Sequence, residues 1–169
     1  MGMREILFRG KCIGEDDYWG WQTGYYVRLK DVCKNRETNR IYTGFAENDC
    51  GNFYGDFYEI DPKTIGQFTG LLDKNGKYVF DGDIVKFTDT NADYEWIGKV
   101  EFGNPNAEYN WGFQLVYIKG TKANTDILCW FDMEETGAFA EVIGNIHDNP
   151  DLLKDFCSYG ERKDNGRND

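Results

Sequence analysis

The 169 residues carry 19 basic and 30 acidic side chains, a formal net charge of -11, with 40% apolar and 17% aromatic residues. A field of that sign opposes duplex nucleic acid, which is bound by neutralising its phosphates with Lys and Arg; no stretch approaches the run of apolar residues that a membrane-spanning helix needs. Five scattered cysteines (Cys12, Cys33, Cys50, Cys129, Cys157) include no Cys-x-x-Cys pair, which excludes a thiol-redox motif and a zinc knuckle. No long apolar region follows Met1, so no secretory signal is expected, and a reducing cytoplasm with free thiols is the predicted setting. A chain of this length buries about 70% of its extended surface, enough for one core or two small ones. Twenty glycines against three prolines predict many tight turns between short strands.

In chain order, residues 4–9 read as a first strand ended by Gly10, with Ile6 and Phe8 on one face. Residues 18–29 read as a strand or a hairpin bent at its glycines, its bulk supplied by Trp19, Trp21, Tyr25, Tyr26 and Val27. Residues 35–40 are polar and read as a loop, followed by a short strand near Ile41, Tyr42 and Thr43. Asp61-Pro62 fixes a turn. Residues 65–87 organise the chain: two apolar runs are split by Asn75-Gly76, which predicts a two-residue type I′ hairpin turn. Asp81-Gly82-Asp83 then turns the chain into a third strand over 83–87, with Val85 and Phe87 on one side, Ile84 on the other and Lys86 reaching solvent.

Further strands are predicted over 97–102 and 111–117, the latter placing Trp111, Phe113, Leu115 and Tyr117 on one face. The run 127–131 is apolar and of undetermined type, and 141–146 reads as a last strand. Asn149 as cap and Pro150 at the first helical position open a short C-terminal helix through Phe156, packed by Leu152, Leu153 and Phe156. Residues 160–169 have no apolar side chain and are expected to form a disordered tail.

Catalytic constellations fail on inventory. His147 is the only histidine and Ser158 the only serine, so a hydrolase triad is not expected. Gly66-Gln67-Phe68-Thr69-Gly70 lacks the lysine and hydroxyl of a phosphate loop. Asp73, Asn75, Asp81 and Asp83 crowd two turns without the glycine spacing of a calcium loop, and hydrogen bonds to turn amides explain them. Neither a metal nor a cofactor is expected. The aromatic surplus is the informative feature: Trp19, Trp21, Tyr25 and Tyr26 either build the N-terminal core or form an interaction surface. A single-strand nucleic-acid platform would need Arg28, Lys30, Lys34, Arg36 and Arg40 beside those aromatics.

Several motifs resemble the YopX family of phages and prophages. They are Arg4-Glu5-Ile6-Leu7-Phe8-Arg9-Gly10-Lys11, Trp21-Gln22-Thr23-Gly24, Ile65-Gly66-Gln67-Phe68-Thr69-Gly70-Leu71, Asp73-Lys74-Asn75-Gly76-Lys77, Asp81-Gly82-Asp83-Ile84-Val85, and the terminal run from Ile143-Gly144-Asn145-Ile146 through His147-Asp148-Asn149-Pro150 to Leu153. The resemblance implies a phage or prophage origin, hence a bacterial host cytoplasm, and an SH3-like barrel in the C-terminal part. It implies no reaction.

The resulting expectation is a mainly β protein: an irregular N-terminal β region over 1–64, an SH3-like barrel region with its terminal helix over 65–159, and the tail over 160–169. Its expected function is a noncatalytic phage or prophage accessory protein that binds an unidentified protein, host-encoded or not, with self-association open and no membrane partner. Alternatives are a weak single-stranded nucleic-acid-binding module, disfavoured by charge, and an acidic mimic occupying a host nucleic-acid-binding surface.

Overall fold

The computed structural model describes residues 5–33, 35–44, 46–47, 53–90, 94–106, 111–120, 127–131 and 138–158. Among them the chain is mainly β: β1 (Phe8–Lys11), β2 (Trp21–Asp31), β3 (Arg36–Tyr42), β4 (Ala46–Glu47), β5 (Phe53–Tyr54), β6 (Phe57–Glu59), β7 (Gly66–Leu72), β8 (Tyr78–Phe80), β9 (Asp83–Asp89), β10 (Tyr94–Gly103), β11 (Gly112–Gly120) and β12 (Ala138–Asn145). Among the described residues, helical structure is confined to 3-10 segments at Gly14–Trp19, Pro62–Thr64 and Pro150–Ser158 and one α-helical turn at Leu128–Phe131. No described helix is long and apolar enough to cross a membrane.

The chain divides into two compact units, Met1–Leu71 with Tyr78–Asp81, and Leu72–Lys77 with Gly82–Asp169. The expected boundary after residue 64 is therefore displaced. Strand β7 pairs with β1 through Phe8–Gln67 and Arg9–Gly66, so the central hairpin extends the N-terminal sheet instead of opening the C-terminal one.

The first unit holds a six-stranded sheet in the order β6-β3-β2-β1-β7-β8. Gly10 continues β1 where it was expected to end it; a Cβ there would stand 2.4 Å from Ile60 Cδ1. Residues 36–40, expected in a loop, belong to β3. Two of their polar side chains are bonded across the ladder, Tyr26 Oη donating to Asn39 Oδ1 at 2.7 Å and Arg28 Nε to Glu37 Oε2 at 3.0 Å, and such cross-strand pairs stabilise a sheet without apolar content. Ile41, Ile60, Val79 and Cys12 are buried here.

The central turn differs from the type I′ expectation. Strand β7 ends at Leu72 and β8 starts at Tyr78. The Gly76 N–H donates to Asp73 O at 2.8 Å and the Asp73 N–H to Lys77 O at 2.8 Å, enclosing the three-residue loop Lys74-Asn75-Gly76, in which Gly76 alone has positive φ, at 78°. A three-residue hairpin loop ends in such a left-handed residue, whereas type I′ needs two. Nothing lies within 4 Å of a Cβ built on Gly76, so Gly76→Val carries backbone strain without a clash. It is expected to lower unfolding free energy by roughly 1–2 kcal/mol; an unchanged denaturation midpoint would contradict the turn.

The second unit holds a four-stranded sheet in the order β11-β10-β9-β12. Strand β9 is buried on both faces as the alternation predicts. Phe87 stacks on Trp96 at 4.4 Å, while Ile84 joins Ile97 and Ile118 on the other side, under Ile143, Ile146, Leu152 and Leu153. Trp111 stands outside β11 and is exposed, because the strand starts one residue later than expected. The expected barrel is not closed among the described residues. Strand β12 pairs with β9 on one edge, and its other edge is taken by the β7–β8 loop: Lys74 N–H donates to Ala140 O at 3.0 Å, and Val142 N–H to Asp73 Oδ2 at 3.0 Å. The expected terminal helix is a 3-10 segment, Pro150–Ser158. The expected disordered tail lies outside the described residues.

A candidate interaction surface

Strand geometry separates the four aromatic residues singled out in the sequence. Side chains two apart share a face, so Trp21 and Tyr25 of β2 lie on one side of the six-stranded sheet and Tyr26 on the other. Trp19 lies at the end of the Gly14–Trp19 segment, 5.6 Å from Tyr18 and 5.8 Å from Tyr58 between ring centroids. Tyr26 packs on Phe8 at 5.7 Å and bonds Asn39. Trp19, Trp21, Tyr25 and Tyr26 thus form no single cluster.

The face bearing Trp21 and Tyr25 is more extensive than those two residues. Register places Tyr25 opposite Tyr42, and Tyr42 opposite Phe57, giving an aromatic row across β2, β3 and β6. Tyr25 and Phe57 are 45% and 46% exposed, so the row is open to a partner. The Tyr25 hydroxyl donates to Glu5 Oε1 at 3.1 Å, and that bond and the Glu5 charge raise its pKa. On the same face Phe68 stacks on Tyr78 at 4.6 Å. The buried Arg9 lies between Trp21 and Phe80, its Cζ 5.0 and 4.9 Å from the two ring centroids, while Arg40 lies 4.4 Å over Phe57. Sequence reasoning missed Tyr42 and Phe57, and named Arg40 only within a nucleic-acid platform, because these residues reach the face from strands whose pairing no local pattern states.

The basic residues required for a nucleic-acid platform do not all converge. Arg36 and Arg40 share the aromatic face; Arg36 Nη2 bonds Glu59 at 3.2 Å. Arg28 and Lys30 stand on the opposite face, where Arg28 pairs with Glu37, which raises its pKa, and Lys34 lies outside the described residues. Among the described residues, no group of three His, Cys, Asp or Glu side chains could hold a metal ion. Cys12 is buried and Cys33 exposed.

The motif residues perform structural work. A Cβ on Gly66 would stand 2.4 Å from Asp81 O. Asn145 Oδ1 accepts the N–H groups of His147 and Asp148, each at 2.9 Å. Asn149, expected to cap the following helix, instead accepts the Asn145 N–H on Oδ1 at 3.1 Å, and a Cβ on Gly144 would meet that same oxygen at 2.4 Å. His147 is thus a turn residue.

Fold and surface together define a mainly β protein with two main antiparallel sheets, besides the short β4–β5 pair, and an exposed aromatic row. The YopX protein family matches it over residues 8–154, and the chain belongs to that family. Among solved structures, protein EF1440 from Enterococcus faecalis is similar over 89% of this chain and 99% of its own, with 24% identity and a TM-score of 0.49. No match was found among curated proteins.

Proposed function

We propose that this chain is a noncatalytic accessory protein of phage or prophage origin, acting in the bacterial cytoplasm as a protein-interaction module. The observation that carries this reading is the exposed Tyr25–Tyr42–Phe57 row. Rigid aromatic side chains on a sheet supply large contact area at low entropic cost, and Tyr and Trp are enriched where partners dock. The second unit fits an SH3-like relationship: β9, β10 and β11 form a meander and β12 returns beside β9, although closure is not part of the described sheet.

The test is capture of partners from prophage-carrying cells with the full chain as bait, in parallel with Tyr25→Ala and Phe57→Ala. One protein retained by the native chain and lost at least tenfold by both variants is the expected result. Fluorescence anisotropy of short single- or double-stranded DNA should show no rise at about 0.15 M salt, since the net charge opposes phosphate. DNA binding that weakens steeply with salt and falls on neutralising Arg36 and Arg40 would replace this reading with the nucleic-acid one. A captured nucleic-acid-binding protein indifferent to both aromatic variants, yet released by salt, would favour acidic mimicry instead.

A further inference from the structure

Arg40 has a position and a set of neighbours that specify a ligand. Its guanidinium lies over the Phe57 ring at 4.4 Å. The residue opposite it on β6 is Glu59, the natural carboxylate partner, but Glu59 is held by Arg36 at 3.2 Å. The residue opposite it on β2 is Val27, which has no side-chain acceptor. Arg40 Nε is enclosed and has no hydrogen-bond acceptor. A planar fork of N–H donors therefore rests on an aromatic platform with its carboxylate neighbour diverted. With one guanidinium face against the ring and Nε enclosed, an acceptor approaches the two Nη groups in the guanidinium plane, the end-on geometry of a bidentate carboxylate or phosphate.

The surroundings choose between those two. Tyr42 follows Arg40 on the same face of β3, with Tyr25 and Phe57 on either side. Same-face side chains of an extended segment are about 7 Å apart. A peptide lying along β3 with its carboxylate on Arg40 therefore brings the side chain two positions away onto Tyr42. A single-stranded nucleic acid needs a track of cations for successive phosphates, and here Arg36 is engaged by Glu59 in a chain of net charge -11. A second copy of this chain would bring a full net charge of -11 against the same charge, whereas a peptide segment needs to bring only the one carboxylate that Arg40 meets.

We propose that Arg40, Tyr42 and Tyr25 form a docking strip for an extended acidic peptide segment of a partner protein. The Arg40 fork reads one Asp or Glu carboxylate, and the tyrosines take an apolar side chain two positions along. This inference rests on the interaction reading above and adds the chemistry of the partner.

The test uses the full-length chain as target for a display library of short random peptides, followed by titration of selected synthetic peptides. Selected sequences are expected to share acidic-x-apolar spacing. Arg40→Gln should weaken binding about tenfold or more, and Arg40→Lys should restore only part of it, since an ammonium lacks the fork. Changing the peptide acid to its amide should weaken binding by a similar factor, and combining this with Arg40→Gln should add little, the signature of a direct pair. Lys63→Gln, a neutralisation elsewhere in the same unit, should leave affinity unchanged. If Arg40→Gln unfolds, by circular dichroism, the peptide-side acid-to-amide change alone carries the test.

Peptides that need Tyr25 and Tyr42 but bind equally without Arg40 or the acid would overturn this inference and leave the interaction reading standing. A library yielding no binder would remove both. Arg40-dependent binding of oligothymidylate without selected peptides, or a dimer in sedimentation that Arg40→Gln dissociates, would assign the strip to nucleic acid or to a second copy and overturn the inference.

Discussion

Gly24→Ala is expected to lower the unfolding free energy by about 3 kcal/mol or more, among the larger single-residue losses. Gly24 lies within β2, opposite Phe8 of β1 and one residue before the Tyr25–Tyr42 pair with β3. Its φ is not positive, so the requirement is space and not backbone freedom. A Cβ built there stands 2.0 Å from Tyr42 O and 2.8 Å from Tyr42 C, both backbone atoms, and 3.2 Å from Ile41 Cγ2. Backbone in the middle of a ladder cannot turn aside as a side-chain tip can, so β2 and β3 must part and give up hydrogen bonds and the burial of Ile41. Chemical denaturation of Gly24→Ala beside Gly44→Ala measures the effect. Gly44 has nothing within 4 Å of its built Cβ, and its substitution should change stability by less than about 0.5 kcal/mol. Equal midpoints for the two variants would contradict the close approach at Gly24.

Asp73→Asn should cost roughly 2–3 kcal/mol at neutral pH. The buried carboxylate accepts Asn75 N–H at 2.8 Å and Lys77 N–H at 2.9 Å on Oδ1, and Val142 N–H at 3.0 Å on Oδ2. An amide presents one oxygen and two N–H donors, so at least one of these donors meets another donor. Burial alone would raise the carboxyl pKa, but the N–H groups of Val142, Lys77 and Asn75, with the Lys77 charge, outweigh it and hold the carboxyl below its ordinary range. The folded-state value thus lies below the unfolded value of about 3.9. The stabilisation is complete above the unfolded value and is lost as pH falls through the folded one. Denaturation of the native chain and Asp73→Asn across pH should therefore give a gap that is constant from about pH 5 to 7 and narrows below about pH 4. A gap that widens in acid would refute this role.

These positions explain what could be read in advance. The alternation in β9 was legible because Val85, Phe87 and Ile84 obey a period of two and Lys86 interrupts the apolar run. Asn75-Gly76 marked the hairpin, but its turn type was settled by the Asp73 carboxylate gathering two loop amides, a bond that no dipeptide rule contains. Residues 36–40 hid a strand because Arg36, Glu37 and Asn39 find partners across the sheet instead of in a core. At the surface, Trp21 and Tyr25 were in view, but grouping them with Tyr26 overlooked the period of two. Phe57 and Arg40 joined them only through pairings of β3 with β2 and β6. The family motifs were recognisable in sequence because close approach at Gly66 and Gly144, and amide bonding at Asp73 and Asn145, tolerate few residue types.

The placement of Asp73 also bears on the order in which the chain can mature on the ribosome. Every strand of the first unit has been made once Asp81 is added, but the Val142 N–H that Asp73 accepts lies 69 residues beyond it. At synthesis rates of about 5–20 residues per second that interval lasts about 3 to 14 s. During it the loop holds its own amides on Oδ1 while Oδ2 is left to solvent. The last partner of the central loop is therefore delivered by one of the last strands synthesised, and a nascent chain stalled before β12 would carry a finished hairpin whose tip has nothing to dock on.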